Sequence, residues 1–333
     1  MPLWNPPLEL IPDHYVLASL IAIGTAYLYA VVVWPLLRRR GPVNLLGKSL
    51  AVVPMSFAFL VTPVEIGARA AVMYGCTELT FKMIDYSRYC RLNDGGPLRE
   101  YLRFLIPFPT LQVTFRRPPG DPVMSMNVRH EAFKLLSGTA GFLVAFATLQ
   151  LSAHSSLVQT SFAVDHAITF VLFIIAIESL SRTLSGLERL VGMNPSPLIN
   201  QAYRSQTVAE FWCRYNTRVH TWLTDNVFRP AGGVRTPVRS VFAVFFVSAI
   251  LHEVAFAIAT SRLDGYQFAF FMSQAPAVFG TLWVQRATRK RGLLGRTICH
   301  LVTIGWLAVS SLLFFRGVDR VFPFFYVSNP WLP

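Results

Sequence analysis

One apolar run, VFAVFFVSAILHEVAFAI (residues 241–258), holds two ionisable side chains, His252 and Glu253. In hydrocarbon such groups cost roughly 2.5–3.5 kcal/mol each unless paired or facing water. They are therefore either reactive groups or polar contacts between packed helices. A neutral imidazole at this depth suits general-base chemistry, taking a proton from a hydroxyl as it attacks an activated acyl carbon. A more polar segment, EFWCRYNTRVHTWLTDNVFRPAGG (residues 210–233), comes just before it. Helical spacing predicts one face with Trp212, Asn216 and His220, and another with Arg214, Arg218 and Trp222. Pro230 and the following glycines should end this helix. Its arginines read as interfacial anchors toward phosphates. Asn216 fits that reading least, because asparagine disfavours helix interiors. An amide there would orient the base or hydrogen-bond a developing oxyanion.

The elements that must position these groups read as membrane helices. Of the 333 residues, 53% are hydrophobic and 14% charged, where a soluble domain carries about a quarter charged. Spans are expected at residues 15–37, 131–151, 162–180, 241–260, 268–285 and 297–315. Residues 50–73 are interrupted by Pro54, Pro63, Glu65 and Arg69, which predicts a hairpin or re-entrant pair turning near Pro63. That gives about seven to nine membrane segments. The expected fold is an all-α polytopic bundle around a central chamber, one integral membrane domain over residues 1–333. Arg38, Arg39 and Arg40 follow the first span at once, which puts the N-terminus on the non-cytoplasmic side. The basic stretches 76–129, 181–239 and 286–296 should then lie inside as polar segments. Met1 to His14 has no Lys or Arg, so the first span is expected to be permanent, not a cleaved signal. The short tail after the last span should lie outside.

Other chemistries find little support. The net charge of +13 sits beside apolar runs and fits anionic lipid, not nucleic acid. "HE" occurs at His130 and His252, but Lys134 and Phe256 stand where HExxH needs histidine, so no metal is expected. No GxSxG elbow or phosphate-binding glycine loop is present. Cys76, Cys90, Cys213 and Cys299 form no CxxC pair and read as apolar filler. A transporter or lipid-binding pathway is the alternative function, with Asp165, His166, Glu178, His252 and Glu253 as its intramembrane polar groups and Arg182 as a partner for Asp165 or Glu178.

FWCRYNTRVHTWL (residues 211–223) followed by SAILHE (residues 248–253) resembles the membrane-bound O-acyltransferase superfamily, closest to wax synthase-like and diacylglycerol or sterol acyltransferase-like members. The histidine comes 36 positions after the asparagine. The lead-in NPSPLINQAYRSQTVAEFW is similar to the wax synthase pattern, and the motif-bearing part covers residues 194–253. The resemblance implies acyl-CoA-dependent ester formation on a fatty alcohol, sterol, glyceride or hydroxylated metabolite. It implies His252 as catalytic base with Asn216 assisting, and Phe211 and Trp212 shaping an acyl or CoA tunnel. His220 occupies a second polar position with a less defined role. Arg204, Arg214, Arg218 and Arg229 are candidates for CoA phosphates. Glu253 stands where many members have a small or apolar residue, and is taken as substrate-binding. Acyl-CoA is a co-substrate, and no further cofactor is expected. The setting implied is a bacterial inner membrane or endoplasmic reticulum. The chain is shorter than eukaryotic sterol or diacylglycerol acyltransferases and lacks their long polar N-terminal region, which leaves acceptor and chain length open.

Overall fold

The computed structural model describes residues 13–93, 96–106, 110–115, 127–193 and 196–327. The N-terminal residues 1–12, part of the lead-in at 194–195 and the end of the tail at 328–333 lie outside the described residues. Twelve α-helices are described: α1 (Asp13–Leu37), α2 (Pro42–Leu50), α3 (Ile66–Leu92), α4 (Leu98–Leu105), α5 (Val128–Ser152), α6 (Ser156–Thr160), α7 (Phe162–Leu190), α8 (Val208–Arg214), α9 (Thr217–Leu223), α10 (Pro237–Thr260), α11 (Tyr266–Thr288) and α12 (Gly292–Val321). Among the described residues there is no strand. Among the described residues, six stretches are long and apolar enough to cross a membrane. The last of them, Tyr266–Val321, folds back on itself as α11 and α12. The all-α, polytopic expectation holds.

A 3₁₀ segment, Val53–Leu60, follows α2, and the chain turns through Thr62–Glu65 into α3. The turn near Pro63 is therefore present. The expected polar segment beyond it is not peripheral. α3 is a 27-residue helix of the interior, with Glu78, Lys82, Asp85 and Tyr86 at most 1% exposed. Its charges are buried because they meet partners. Lys82 Nζ lies 2.8 Å from Glu78 and donates to the Leu105 carbonyl. Asp85 accepts from Arg88, from the Asn226 side chain and from the Phe115 amide. Hydropathy windows see only the charges, whereas pairing makes their burial tolerable.

α5 and α7 pack antiparallel at close range. A Cβ at Gly138 would lie 2.6 Å from the Thr183 amide, and one at Gly186 would lie 2.8 Å from the Glu131 carbonyl. Small residues let backbones approach where lipid supplies no hydrophobic drive between helices. α11 and α12 also run antiparallel, joined by Gln267 to the Phe314 carbonyl at one end and Thr288 to Cys299 at the other. α10 sits among them. Leu251, Ala255 and Ile258 pack on the α1–α3 cluster, Phe245 and Ala249 face α11, and Phe256 meets Phe314 of α12. The helix that carries His252 is thus central in the bundle.

Candidate active site

His252 lies deep in α10, half-buried. Its Nδ1 is 2.8 Å from the Ser248 carbonyl. A carbonyl oxygen only accepts, so Nδ1 carries the hydrogen and donates it. In the neutral ring the lone pair is then left on Nε2. The ring rests on Phe271, with centroids 4.0 Å apart and planes tilted by 31°. Phe271 in turn packs on Trp212 at 5.7 Å. The aromatic pair of α8 therefore reaches the histidine through one intermediate ring. Phe271 escaped the sequence reading, since one more phenylalanine in an apolar run carries no signal.

The structure changes the picture of the polar segment. The helix expected through Trp212, Asn216 and His220 breaks at Tyr215 and Asn216 into α8 and α9. The three side chains do not form one helix face. Asn216 is the N-cap of α9, with φ 48°, ψ 61° and its side chain accepting from the Val219 amide. Asparagine is one of the few residues at ease in this left-handed conformation, and its carbonyl oxygen fills the capping role. Residues 198–200 cover the break: the Asn200 amide donates to the Arg214 carbonyl and the Thr217 amide to the Leu198 carbonyl. α8 starts in a capping arrangement in which Thr207 accepts from the Glu210 amide, while Glu210 reaches back to the Gln206 amide. Beyond α9 the chain makes a π turn, Thr224–Phe228, before Pro230 and Gly232 end it as expected.

Asn216 and His252 sit on elements that pack together. α9 and the π turn meet α10 through Trp222, Val219 and Leu223 around Leu251, the neighbour of His252. Among the described residues no hydrogen bond joins Asn216 to His252. The same residues leave the Asn216 Nδ2 unused, its oxygen being the capping atom. His220 faces Cys213, with 3.4 Å between its Nε2 and Sγ. Burial lowers the basicity of the His220 ring, and burial together with Glu210 raises the Cys213 thiol. The pair is therefore a neutral S–H···N contact. Cys213 is exposed and polar-bonded rather than filler, while Cys76, Cys90 and Cys299 are buried as expected.

Two expected substrate-binding residues are already engaged. Arg218 is buried and forms a bidentate pair with Glu188, both contacts 2.6 Å, and also donates to the Ser196 and Thr110 carbonyls. A surface-anchor reading missed it because Glu188 lies 30 residues away in the chain. Glu253 is 8% exposed and accepts from the amides of Asp264, Gly265 and Phe268. It holds the start of α11, where a carboxylate also complements the helix dipole. Arg214 pairs with Glu210 at 2.8 Å in a half-exposed setting, and Arg229 pairs with Asp225 at 2.6 Å with 70% of its side chain exposed. Arg204 bonds Gln201 at the surface.

The other intramembrane polar groups are occupied too, though not with Arg182, which bonds Ser137. Asp165 accepts from the Val327 amide and Glu178 from the Ala202 amide. His166 uses both ring nitrogens, on Tyr326 Oη and the Ala308 carbonyl, each at 2.7 Å. Gln274, fully buried on α11, bonds Ser310 and Trp306 of α12. The rule that drew attention to His252 also applies to it, since it is polar within an apolar run.

Residues 142–314, just over half of the chain, match the pattern of the membrane-bound O-acyltransferase family. This range runs from α5 into α12 and includes Asn216, His252 and Phe271. A diacylglycerol O-acyltransferase 1C of Glycine max is 29% identical over 137 residues, 40% of this chain and 26% of that protein. A probable sterol O-acyltransferase 2 of Schizosaccharomyces pombe is 30% identical over 105 residues, 32% of this chain and 22% of its own length. A probable long-chain-alcohol O-fatty-acyltransferase 3 of Arabidopsis thaliana is 27% identical over 142 residues, 39% of this chain and 42% of that one. The matches thus span from about a fifth to two-fifths of these relatives. A helical membrane bundle, its central helix bearing His252, and a family pattern covering just over half of the chain agree: the chain belongs to the membrane-bound O-acyltransferase family.

Proposed function

We propose that the protein is an acyl-CoA-dependent O-acyltransferase that joins an acyl group to an alcohol. The alcohol hydroxyl approaches His252 Nε2, which takes its proton as the oxygen attacks the thioester carbon. The tetrahedral intermediate collapses, the C–S bond breaks, and the CoA thiolate recovers the proton from the imidazolium. The products are the ester and free CoA thiol, and no covalent enzyme intermediate is needed. The observation that carries this reading is the Nδ1 contact to the Ser248 carbonyl, which fixes the ring and leaves Nε2 as the acceptor. Second-sphere contacts of this kind set histidine tautomers. The aromatic wall of Phe271 and Trp212 supports a site that excludes water, which would otherwise hydrolyse the thioester.

Asn216 is proposed to donate its Nδ2 hydrogens to the carbonyl oxygen as negative charge develops there. Its backbone conformation and cap hydrogen bond hold the amide in one orientation. Phe211 and Trp212 are proposed to line the acyl path. For the CoA phosphates, Arg214, Arg204 and Arg229 remain candidates. Their surface contacts are each worth about 1 kcal/mol or less and are readily exchanged. Arg218, committed to Glu188, is not proposed for the phosphates, and Glu253, committed to α11, is not proposed as a substrate contact. The N-terminus is proposed to lie on the non-cytoplasmic side, with the basic segments toward acyl-CoA. The test is direct. Protein purified in detergent is mixed with acyl-labelled acyl-CoA and a panel of fatty alcohols, sterols and glycerides. Ester and free thiol should appear together in equal amounts with at least one alcohol; thiol release without ester from any of them would overturn the reading.

A further inference from the structure

A pocket opens where the end of α10, the start of α11 and the end of α12 meet. It lies at the end of the α11–α12 hairpin opposite the basic turn Arg289–Arg291. Its lining includes Phe256, Asp264, Tyr266, Gln267, Gly317 and Arg320, with Arg262 beside them. Its cavity volume is about 10 Å³, room for a single water-sized group. That volume is far below the range of ligand pockets and takes one hydroxyl at the end of a longer molecule.

Phe256 follows His252 by four positions on α10, so the pocket begins about one helical turn, roughly 5–6 Å, from the histidine along the same face. Gln267 is 2% exposed. Its Nε2 donates to the Phe314 carbonyl at 2.8 Å, which fixes the amide orientation. Its Oε1 is buried and has no hydrogen-bond partner among the described residues. An unsatisfied buried acceptor costs about 1–3 kcal/mol, so the site is set up to receive a donor. Glu253, which shares the wall, is saturated by three backbone amides, and Arg320 is held by Asp264. Arg320 Nη1, though ion-paired with Asp264, is also without a hydrogen-bond partner among the described residues, so the pocket presents a neutral acceptor beside a donor, and a hydroxyl, which both donates and accepts, complements them.

Resting on the reading of His252 as the acyl-transfer base, we propose that this pocket selects the acceptor. It holds a second hydroxyl of the substrate on Gln267 Oε1, with Asp264 and the Arg262 rim beside it, while the first hydroxyl sits at His252 Nε2. The acceptor class is then a molecule with two or more hydroxyls within about one helical turn of each other, and not a simple long-chain alcohol. Gly317 keeps the pocket in shape, because a Cβ there would collide with Gln267 Nε2 and lie 3.2 Å from Phe256.

Binding tests this without relying on turnover. Detergent-purified protein is titrated with 1-monoacylglycerol and with the fatty alcohol of equal chain length, and affinity is read from thermal stabilisation. The wild type should bind the monoacylglycerol at least about tenfold more tightly, as expected for one satisfied buried hydrogen bond of about 1.4 kcal/mol. Gln267→Leu should erase that preference while leaving fatty-alcohol binding within about twofold. His252→Ala should keep it. Arg262→Ala, at an exposed rim position, should narrow it in a protein whose fold is untouched, which covers a Gln267 variant that does not fold. Equal wild-type affinity for the two ligands, or a preference that survives both pocket variants, overturns the proposal. Absence of ester formation in a protein that keeps the preference would count against the acyl-transfer reading and leave the pocket assignment standing.

Discussion

Asn216 serves the fold and, in the proposed mechanism, the chemistry, and the two can be separated. Asn216→Ala removes the cap and the local side-chain hydrogen bond that lets a residue with a β-carbon hold this left-handed conformation, costing about 1–2 kcal/mol. Asn216→Gly keeps the conformation accessible and costs only a few tenths. If Nδ2 polarises the acyl carbonyl, both variants should lose about 10²- to 10³-fold in kcat. Stability from thermal unfolding should nevertheless be near wild type for glycine alone. A glycine variant with normal kcat would reduce Asn216 to a cap. The need for an explanation of Asn216 was legible in the sequence, but not the answer. Helical periodicity assumed that residues 212–220 were continuous, whereas capping depends on a backbone break that spacing does not encode. His252 was legible because an ionisable group in a long apolar run has few ways to be stable. Glu253, with the same signal, turned out to be the anchor of α11, and only its three amide partners distinguish the two roles.

At the scale of elements, the contacts that hold the site in place are buried charge pairs and glycine-mediated helix packing. Arg218→Ala would leave Glu188 buried and unpaired, which typically costs about 3–5 kcal/mol. The expected outcome is a strongly lowered unfolding temperature, not a selective rise in KM for acyl-CoA. A variant of wild-type stability with a raised KM would return Arg218 to the CoA site. Gly186→Ala places a methyl 2.8 Å from the Glu131 carbonyl and the Leu135 amide. It should destabilise the α5–α7 pair by about 1–3 kcal/mol, seen as a lower midpoint of detergent-solubilised unfolding. The long apolar helices α1, α5, α7, α10, α11 and α12 were readable from hydropathy alone, with most ends shifted by up to about six residues and α7 running ten residues past its expected end. The buried α3 was not, because charge lowers hydropathy whether or not the charges are paired. Glu78–Lys82 and Asp85–Arg88 are local pairs on one helix, yet Asp85 also needs Asn226, 141 residues away.

Across the whole molecule, the intramembrane polar groups divide clearly. Asp165, Glu178, His166 and Glu253 hold backbone amides, a carbonyl or a tyrosine between helices. A transport pathway would need such groups free to meet a moving solute, and these are committed to packing. His252 alone of the five retains a ring nitrogen without a protein partner among the described residues. The central claim is that this nitrogen is the base for acyl transfer. It is tested by comparing wild type and His252→Ala in ester formation from labelled acyl-CoA at saturating alcohol, with acyl-CoA binding measured on the same preparations. The expected result is a fall of about 10²- to 10⁴-fold in kcat with acyl-CoA affinity unchanged; ester formed by His252→Ala at the wild-type rate would contradict it.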